Sequence, residues 1–184
     1  MEPFRPTRGG GVRAALAPAE ASLLRSLVGQ VITLIAPDGP PAPKAQDEPD
    51  GLPAWDDLDR ELSTPDDPVL ARLLPDGYRG DPDAANEFRK YTESGLRSAK
   101  HQSALDLLDT LPEAGGKIQL TADQAQAWLK ALNDVRLALG VRLGVTEEFE
   151  EQWGRLAADD PQWAAYEVYA WLGAVQESLV QALA

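Results

Sequence analysis

Residues 117–144 read KIQLTADQAQAWLKALNDVRLALGVRLG, and two kinds of secondary structure meet within that run. Lys117-Ile118-Gln119-Leu120 alternates polar and apolar side chains, the period of a half-buried strand. Thr121-Ala122-Asp123-Gln124 has the spacing of a capping box, in which the Thr hydroxyl and the Gln amide satisfy each other's free backbone N–H groups. A helix of about twenty residues is expected to follow, with Trp128, Leu132, Val135, Leu139 and Leu143 on one stripe and Gly140 and Gly144 near its end. A lone strand is not stable, so the rest of the chain must supply strands to pair with it.

Those strands are found at the start of the chain. Phe4–Thr7 and Val12–Ala17 flank Arg8-Gly9-Gly10-Gly11, where glycines provide the positive φ of a hairpin turn. Pro18 then suits the first turn of a helix, and Leu23, Leu24, Leu27, Val28, Val31, Ile32 and Ile35 follow at helical spacing to about Ala36. Residues 37–54, PDGPPAPKAQDEPDGLPA, have the acidic, proline-rich composition of a flexible linker. Trp55, Leu58 and Leu62 suggest a short helix, and DPVLARLLP another that ends at Pro75.

Asp81 caps a helix with Pro82 at its first position, running to about Leu111 with a bend expected near Gly95. Thr146-Glu147-Glu148-Phe149 begins a further helix, and Asp160-Pro161 begins the last, with Val168, Leu172, Val175, Leu179 and Leu183 on its stripe. The fold class is therefore mainly α with a small antiparallel β-sheet (α+β), in which the hairpin and one short strand pack on about five to seven helices. Residues 1–36 and 55–184 form one domain, joined through the 37–54 linker.

Composition narrows the chemistry. The chain has no cysteine, and Met1 is its one methionine, which excludes disulfides, thiolate metal sites and a thiol redox switch within these residues. No run is long and apolar enough for a membrane span, and MEPFRPTRGGG lacks the apolar centre of a signal peptide, so a cytoplasmic location is expected. The net charge of −13 is carried by two blocks. Residues 37–70 sum to about −8 and 145–184 to about −7, while 71–144 are close to neutral. A basic face within 71–144 is compatible with that distribution.

No catalytic centre is apparent. His101, the one histidine, has no nucleophile or carboxylate near it at triad spacing and reads as a packing or surface residue. Glu147, Glu148, Glu150 and Glu151 read as a solvated helix N-terminus favoured by the dipole, and Asp56, Asp57 and Asp59 likewise as solvated acids. Gly115-Gly116-Lys117 lacks the first glycine and the Ser or Thr of a phosphate loop. No cofactor and no metal are expected. A hydrolase or transferase whose site is dispersed in sequence, with His101 or a carboxylate pair as base, is the enzyme alternative.

The polar groups that remain are mostly cations. Arg89, Glu93, Arg97 and Lys100 fall on one face of the long helix, which reads as an ion-pair ladder worth about 0.2–0.5 kcal/mol per pair. The other reading is a basic surface for a partner, formed by Arg72, Arg79, Arg89, Arg97, Lys100, Arg136 and Arg142. On that reading, reversing the charges of Arg89 and Arg97 weakens binding without unfolding the chain. Asn133-Asp134 beside Arg136 suits a partly buried network joining the two long helices. Trp163, Tyr166, Tyr169 and Trp171 cannot all lie on the last helix's stripe, so they are either core or a contact surface.

RLLPDGYRGDPDAANEFRKYTESGLRSAK at 72–100 and AWLKALNDVRLALGVRLGV at 127–145 resemble an actinobacterial family of oxidative-stress transcriptional regulators of the AosR type, long catalogued as a domain of unknown function. The likeness extends to the hairpin, the acidic linker and the terminal Tyr/Trp-rich helix. It implies a non-enzymatic regulator that acts with a stress sigma factor or RNA polymerase on sulfur-assimilation genes, with DNA touched only as part of the complex. It also implies a genomic setting beside the proteolytic adaptor ClpS, hence the alternative of an adaptor in regulated proteolysis contacting its partner through Trp163, Tyr166 and Trp171. The family's described mode uses a CxxxC pair, which this sequence lacks. A homodimer through the last helix stays open.

Overall fold

A computed structural model describes residues 1–36, 65–78, 80–157, 159–160 and 162–184. The linker expected at 37–54 and the short helix expected around Trp55, Leu58 and Leu62 lie outside the described residues, as does Arg79.

Strands β1 (Glu2–Pro6) and β2 (Val12–Leu16) form the expected hairpin, with Arg5 opposite Arg13 and an irregular register between Glu2 and Arg5. Its turn closes with the Thr7 N–H donating to the Gly11 carbonyl at 2.8 Å. Gly11 has no alternative residue, because a Cβ there would lie 2.2 Å from the carbonyl oxygen of Leu120. That oxygen belongs to β3 (Gly116–Leu120), which runs antiparallel to β2 with Val12 opposite Leu120 and Leu16 opposite Gly116. The sheet order is β1-β2-β3, and its inner face is formed by Phe4, Val12, Ala14, Leu16, Ile118 and Leu120.

The helices expected from Pro18, Asp81 and Thr121 begin where the sequence places them. In α1 (Pro18–Ile35) the Glu20 carboxylate accepts from the Ala17 N–H at 2.7 Å and from the Met1 ammonium at 2.8 Å. Asp67 caps α2 (Pro68–Leu73), and Asp81 caps α3 (Pro82–Thr110) by accepting from the Ala84 N–H at 3.0 Å. The capping box of α4 (Ala122–Leu143) is reciprocal: the Gln124 N–H donates to Thr121 Oγ1 at 3.2 Å, and the Thr121 N–H to Gln124 Oε1 at 2.9 Å. Gly144 closes α4 in the left-handed conformation, φ +63°. A short α5 (Phe149–Gly154) follows, and α6 (Trp163–Leu183) starts later than Asp160-Pro161 because Asp160 is in a turn. Its carboxylate accepts from the Gln162 N–H at 2.8 Å and its carbonyl from the Trp163 N–H at 2.9 Å.

Helix α4 lies at the centre, touching α1, α2, α3, α6 and β3. Trp128, Leu132 and Val135 are buried as expected, whereas Leu139 is half-buried against α1. Trp128 meets Phe4 edge-on at 5.8 Å, and its indole N–H donates to Thr110 Oγ1 at 2.7 Å, so one side chain links the sheet, α3 and α4. Trp128→Ala is expected to cost about 3–5 kcal/mol through cavity formation. A urea melt of the variant checks this, and an unchanged midpoint would contradict the central role of this residue.

Candidate functional site

Helix α3 is attached to the protein in an unusual way. Over its first turns the buried residues are Ala85, Arg89 and Glu93, while Phe88 and Tyr91 are exposed. The inward charges are paired, although the buried Nε of Arg89 has no hydrogen-bond partner. Arg89, 4 % exposed, donates through Nη1 to Glu93 Oε2 at 2.7 Å and through Nη2 to the Leu74 carbonyl at 3.2 Å and to Asp76. Arg97 donates through Nε to Glu93 Oε1 at 2.8 Å and through Nη1 to the Ile35 carbonyl at 3.1 Å. This ladder thus ties the ends of α1 and α2 to α3, capping carbonyls that a helix C-terminus leaves open.

One turn further on, Lys100 Nζ donates to Asp134 Oδ1 at 2.6 Å, joining α3 to α4. This is the interhelical network expected around Asp134, although Asn133 is exposed and Arg136 turns the other way. Arg136 donates to Gln176 Oε1 at 2.6 Å and stacks over the Tyr169 ring at 5.2 Å.

The electrostatics follow from burial. Burial raises the Glu93 carboxyl, but hydrogen bonds and charge from Arg89 and Arg97 outweigh it and hold it below its ordinary 4.5. For Asp134 burial wins over the single Lys100 partner and leaves the carboxyl above its ordinary 3.8. Burial would lower the Arg89 guanidinium, yet Glu93 and Asp76 together raise it.

Of the seven cations singled out from the sequence, Arg89, Arg97 and Lys100 therefore belong to an internal ladder, and Arg136 to the α4–α6 contact. Arg72 is exposed in the last turn of α2, and Arg142 is exposed near the end of α4, where it donates to Gln30 Oε1 at 3.1 Å. Because Arg89 is buried and paired, reversing Arg89 and Arg97 is expected to destabilise the fold as well as alter the surface. Reversal at 89 would bring three carboxylates together in a buried site.

The terminal aromatics pack mainly on one another. Phe149 stacks on Tyr166 at 5.4 Å and meets Tyr169 at 4.9 Å, while Trp153 meets Trp163 at 5.7 Å. Tyr166 is buried, and Trp163 and Trp171 are half-buried. His101 is half-buried on α3. A groove of about 300 Å³ between α1 and α4 is lined by Leu27, Val31, Leu34 and Val135 with Arg142 at its rim, and a notch of about 240 Å³ lies beside Leu74, Phe88 and Leu96. His101 lines neither of them.

Two consequences can be measured. Lys100→Met is expected to cost about 3–5 kcal/mol by leaving Asp134 buried and unpaired, whereas Lys100→Met with Asp134→Leu should recover most of that loss. Additive losses in a double-mutant cycle would contradict the pairing. The lowered folded pKa of Glu93 means that its contribution is present above its unfolded value near 4.5 and is lost as pH falls through the lower folded value. Wild type and Glu93→Gln should therefore differ in stability at neutral pH and converge in acid. A gap that is independent of pH would mean that Glu93 acts through packing.

Comparison with known proteins places this arrangement in context. A family model described as a domain of unknown function (DUF2017) matches residues 1–183. Proteins named oxidative stress regulator AosR from Mycobacterium tuberculosis and Mycobacterium bovis are 38 % identical over 195 residues, covering 95 % of this chain and 83 % of theirs. A relative from Mycobacterium leprae is 37 % identical over 189 residues, with the same coverage. No solved structure matches. The chain belongs to the DUF2017 family, the family of the mycobacterial AosR oxidative stress regulators.

Proposed function

We propose that this chain is a non-enzymatic, cytoplasmic regulatory protein that acts by binding a protein partner, a sigma factor or RNA polymerase, with DNA present only as part of the complex. The observation that carries this reading is the likeness, along 95 % of the chain, to proteins named oxidative stress regulators. The geometry is compatible with it, since no helix among the described residues is long and apolar enough to cross a membrane. The partner contact falls on Arg72 and Arg142, the two of the described candidate cations that are exposed, while Arg89, Arg97, Lys100 and Arg136 hold the helices that present them. With no cysteine in the sequence, the oxidative signal arrives through the partner and not through a thiol of this chain.

The test is capture of partners from stressed and unstressed host lysate on the immobilised chain, with nuclease treatment and identification by mass spectrometry. A sigma factor or polymerase that survives nuclease supports the reading, and Arg72→Glu with Arg142→Glu should then weaken binding of the purified partner at least about tenfold while the melting curve is unchanged. Recovery of proteolytic components alone would favour an adaptor role instead. Recovery of nothing would remove the regulator reading.

A further inference from the structure

The strands bury one face of the sheet and turn the other outward, and the outward face collects cations that the fold does not use. Arg5 stands directly opposite Arg13, and Arg13 opposite Gln119, so these side chains form a row across β1, β2 and β3 about 10 Å wide. Lys117 lies two residues along β3, opposite Ala15, and Arg8 is at the hairpin turn. Arg5, Arg8, Arg13, Lys117 and Gln119 are all exposed. The strands and their turn carry these four cations against one carboxylate, Glu2, in a chain whose net charge is −13. Glu2 is opposite Ala15, two strands away from Lys117.

Two details set this face apart from an ordinary solvated surface. None of the four cations makes an ion pair or hydrogen bond among the described residues, whereas Arg89, Arg97, Lys100, Arg136 and Arg142 all have partners. Like charges directly opposite each other on a sheet are destabilising, and Arg5 and Arg13 keep that cost with no carboxylate bonded to either. The second detail is the turn. Gly10 is required by its φ of +80° and Gly11 by its approach to the Leu120 carbonyl, but Gly9 has no positive φ, and a Cβ there would meet no atom within 4 Å. The tip therefore presents bare backbone beside Arg8, which lets another molecule come close to its N–H groups.

We infer that this face of the sheet lies against the sugar–phosphate backbone of duplex DNA, with Arg5, Arg13 and Lys117 contacting phosphates and the glycine tip approaching beside Arg8. Chemistry selects the occupant. A protein partner is held by aromatic or large apolar anchors at the centre of the contact, and besides its cations this face presents Gln119 and Ala15. A single strand would need aromatic rings on which its bases stack, and the row contains none. Phosphates require only exposed guanidinium, ammonium and backbone N–H groups, and contacts of that kind position a duplex without reading its sequence. That the duplex is DNA rests on the regulatory reading, in which DNA enters with the partner. The direct contact through the sheet goes beyond that reading and is separate from Arg72 and Arg142.

The purified full-length chain tests this without any protein partner, so its failure and that of the regulatory reading are separate results. Titrated into labelled DNA duplexes of two unrelated sequences, it is expected to raise the fluorescence anisotropy of both alike. Affinity should fall about 40- to 150-fold between about 50 and 200 mM salt, the dependence given by about three to four phosphate contacts. Arg5→Gln with Arg13→Gln should weaken binding more than about tenfold at about 50 mM salt and remove about two contacts from the salt slope. The same variant should melt no earlier than wild type, because it removes like charges that stand opposite each other. Arg5→Lys with Arg13→Lys should keep the slope, and Lys130→Gln, exposed on α4, should leave affinity and slope unchanged. Polyglutamate with the same label should bind at least about tenfold more weakly than the duplex. Absence of binding at about 50 mM salt, a slope that survives Arg5→Gln with Arg13→Gln, or polyglutamate bound as tightly as DNA would overturn the proposal.

Discussion

The position of α3 rests on charge more than on apolar contact. Its first half offers the core no large hydrophobic side chain, so the Arg89 guanidinium, bonded at once to Glu93, Asp76 and the Leu74 carbonyl, supplies the attachment that leucines provide elsewhere. A buried guanidinium is tolerable only when its donors meet acceptors, and helix ends are rich in carbonyls that need donors. The ladder meets most of both needs, since the Nη groups of Arg89 find Glu93, Asp76 and the Leu74 carbonyl and Arg97 takes up the Ile35 carbonyl, while the Arg89 Nε stays without a partner. Their removal would leave open carbonyls as well as an unpaired Glu93.

This attachment also explains why α3 carries its aromatics outside. A helix fixed inward by ion pairs does not need Phe88 and Tyr91 for the core, which leaves the outer face open to other constraints. The second half behaves differently: Ala104 and Leu107 enter the core, and Thr110 receives the Trp128 indole. One helix thus changes from ionic to apolar anchoring along its length, and the change falls near Lys100, whose partner Asp134 lies on the central helix α4.

Local signals were legible in the sequence because they depend on neighbours along the chain. The Thr121–Gln124 box, the cap at Asp81, the hairpin glycines and the Trp128, Leu132 and Val135 part of the α4 stripe all appear where the residues place them. The i, i+4 relation of Arg89, Glu93 and Arg97 was also readable, and with it the ladder. Its burial was not readable, because Asp76 and the carbonyls of Leu74 and Ile35 come from other elements, and no helical period encodes where α1 and α2 end against α3. The same limit applies to the aromatics. Sequence spacing showed that Trp163, Tyr166, Tyr169 and Trp171 could not all lie on the last helix's apolar stripe, but the second surface, Phe149 and Trp153 on the short α5, is set by a tertiary turn.

The closing step concerns sulfur. The core of this family member is assembled from Trp128, leucines, valines and alanines with no thiol, and the sheet and helices reach it through apolar contacts, caps and ion pairs. The framework is therefore complete without thiol chemistry, and an oxidative signal that passes through this chain has no residue here on which disulfide exchange could act. What the fold does offer is surface, including the exposed Arg72 and Arg142, which stand outside the ladder.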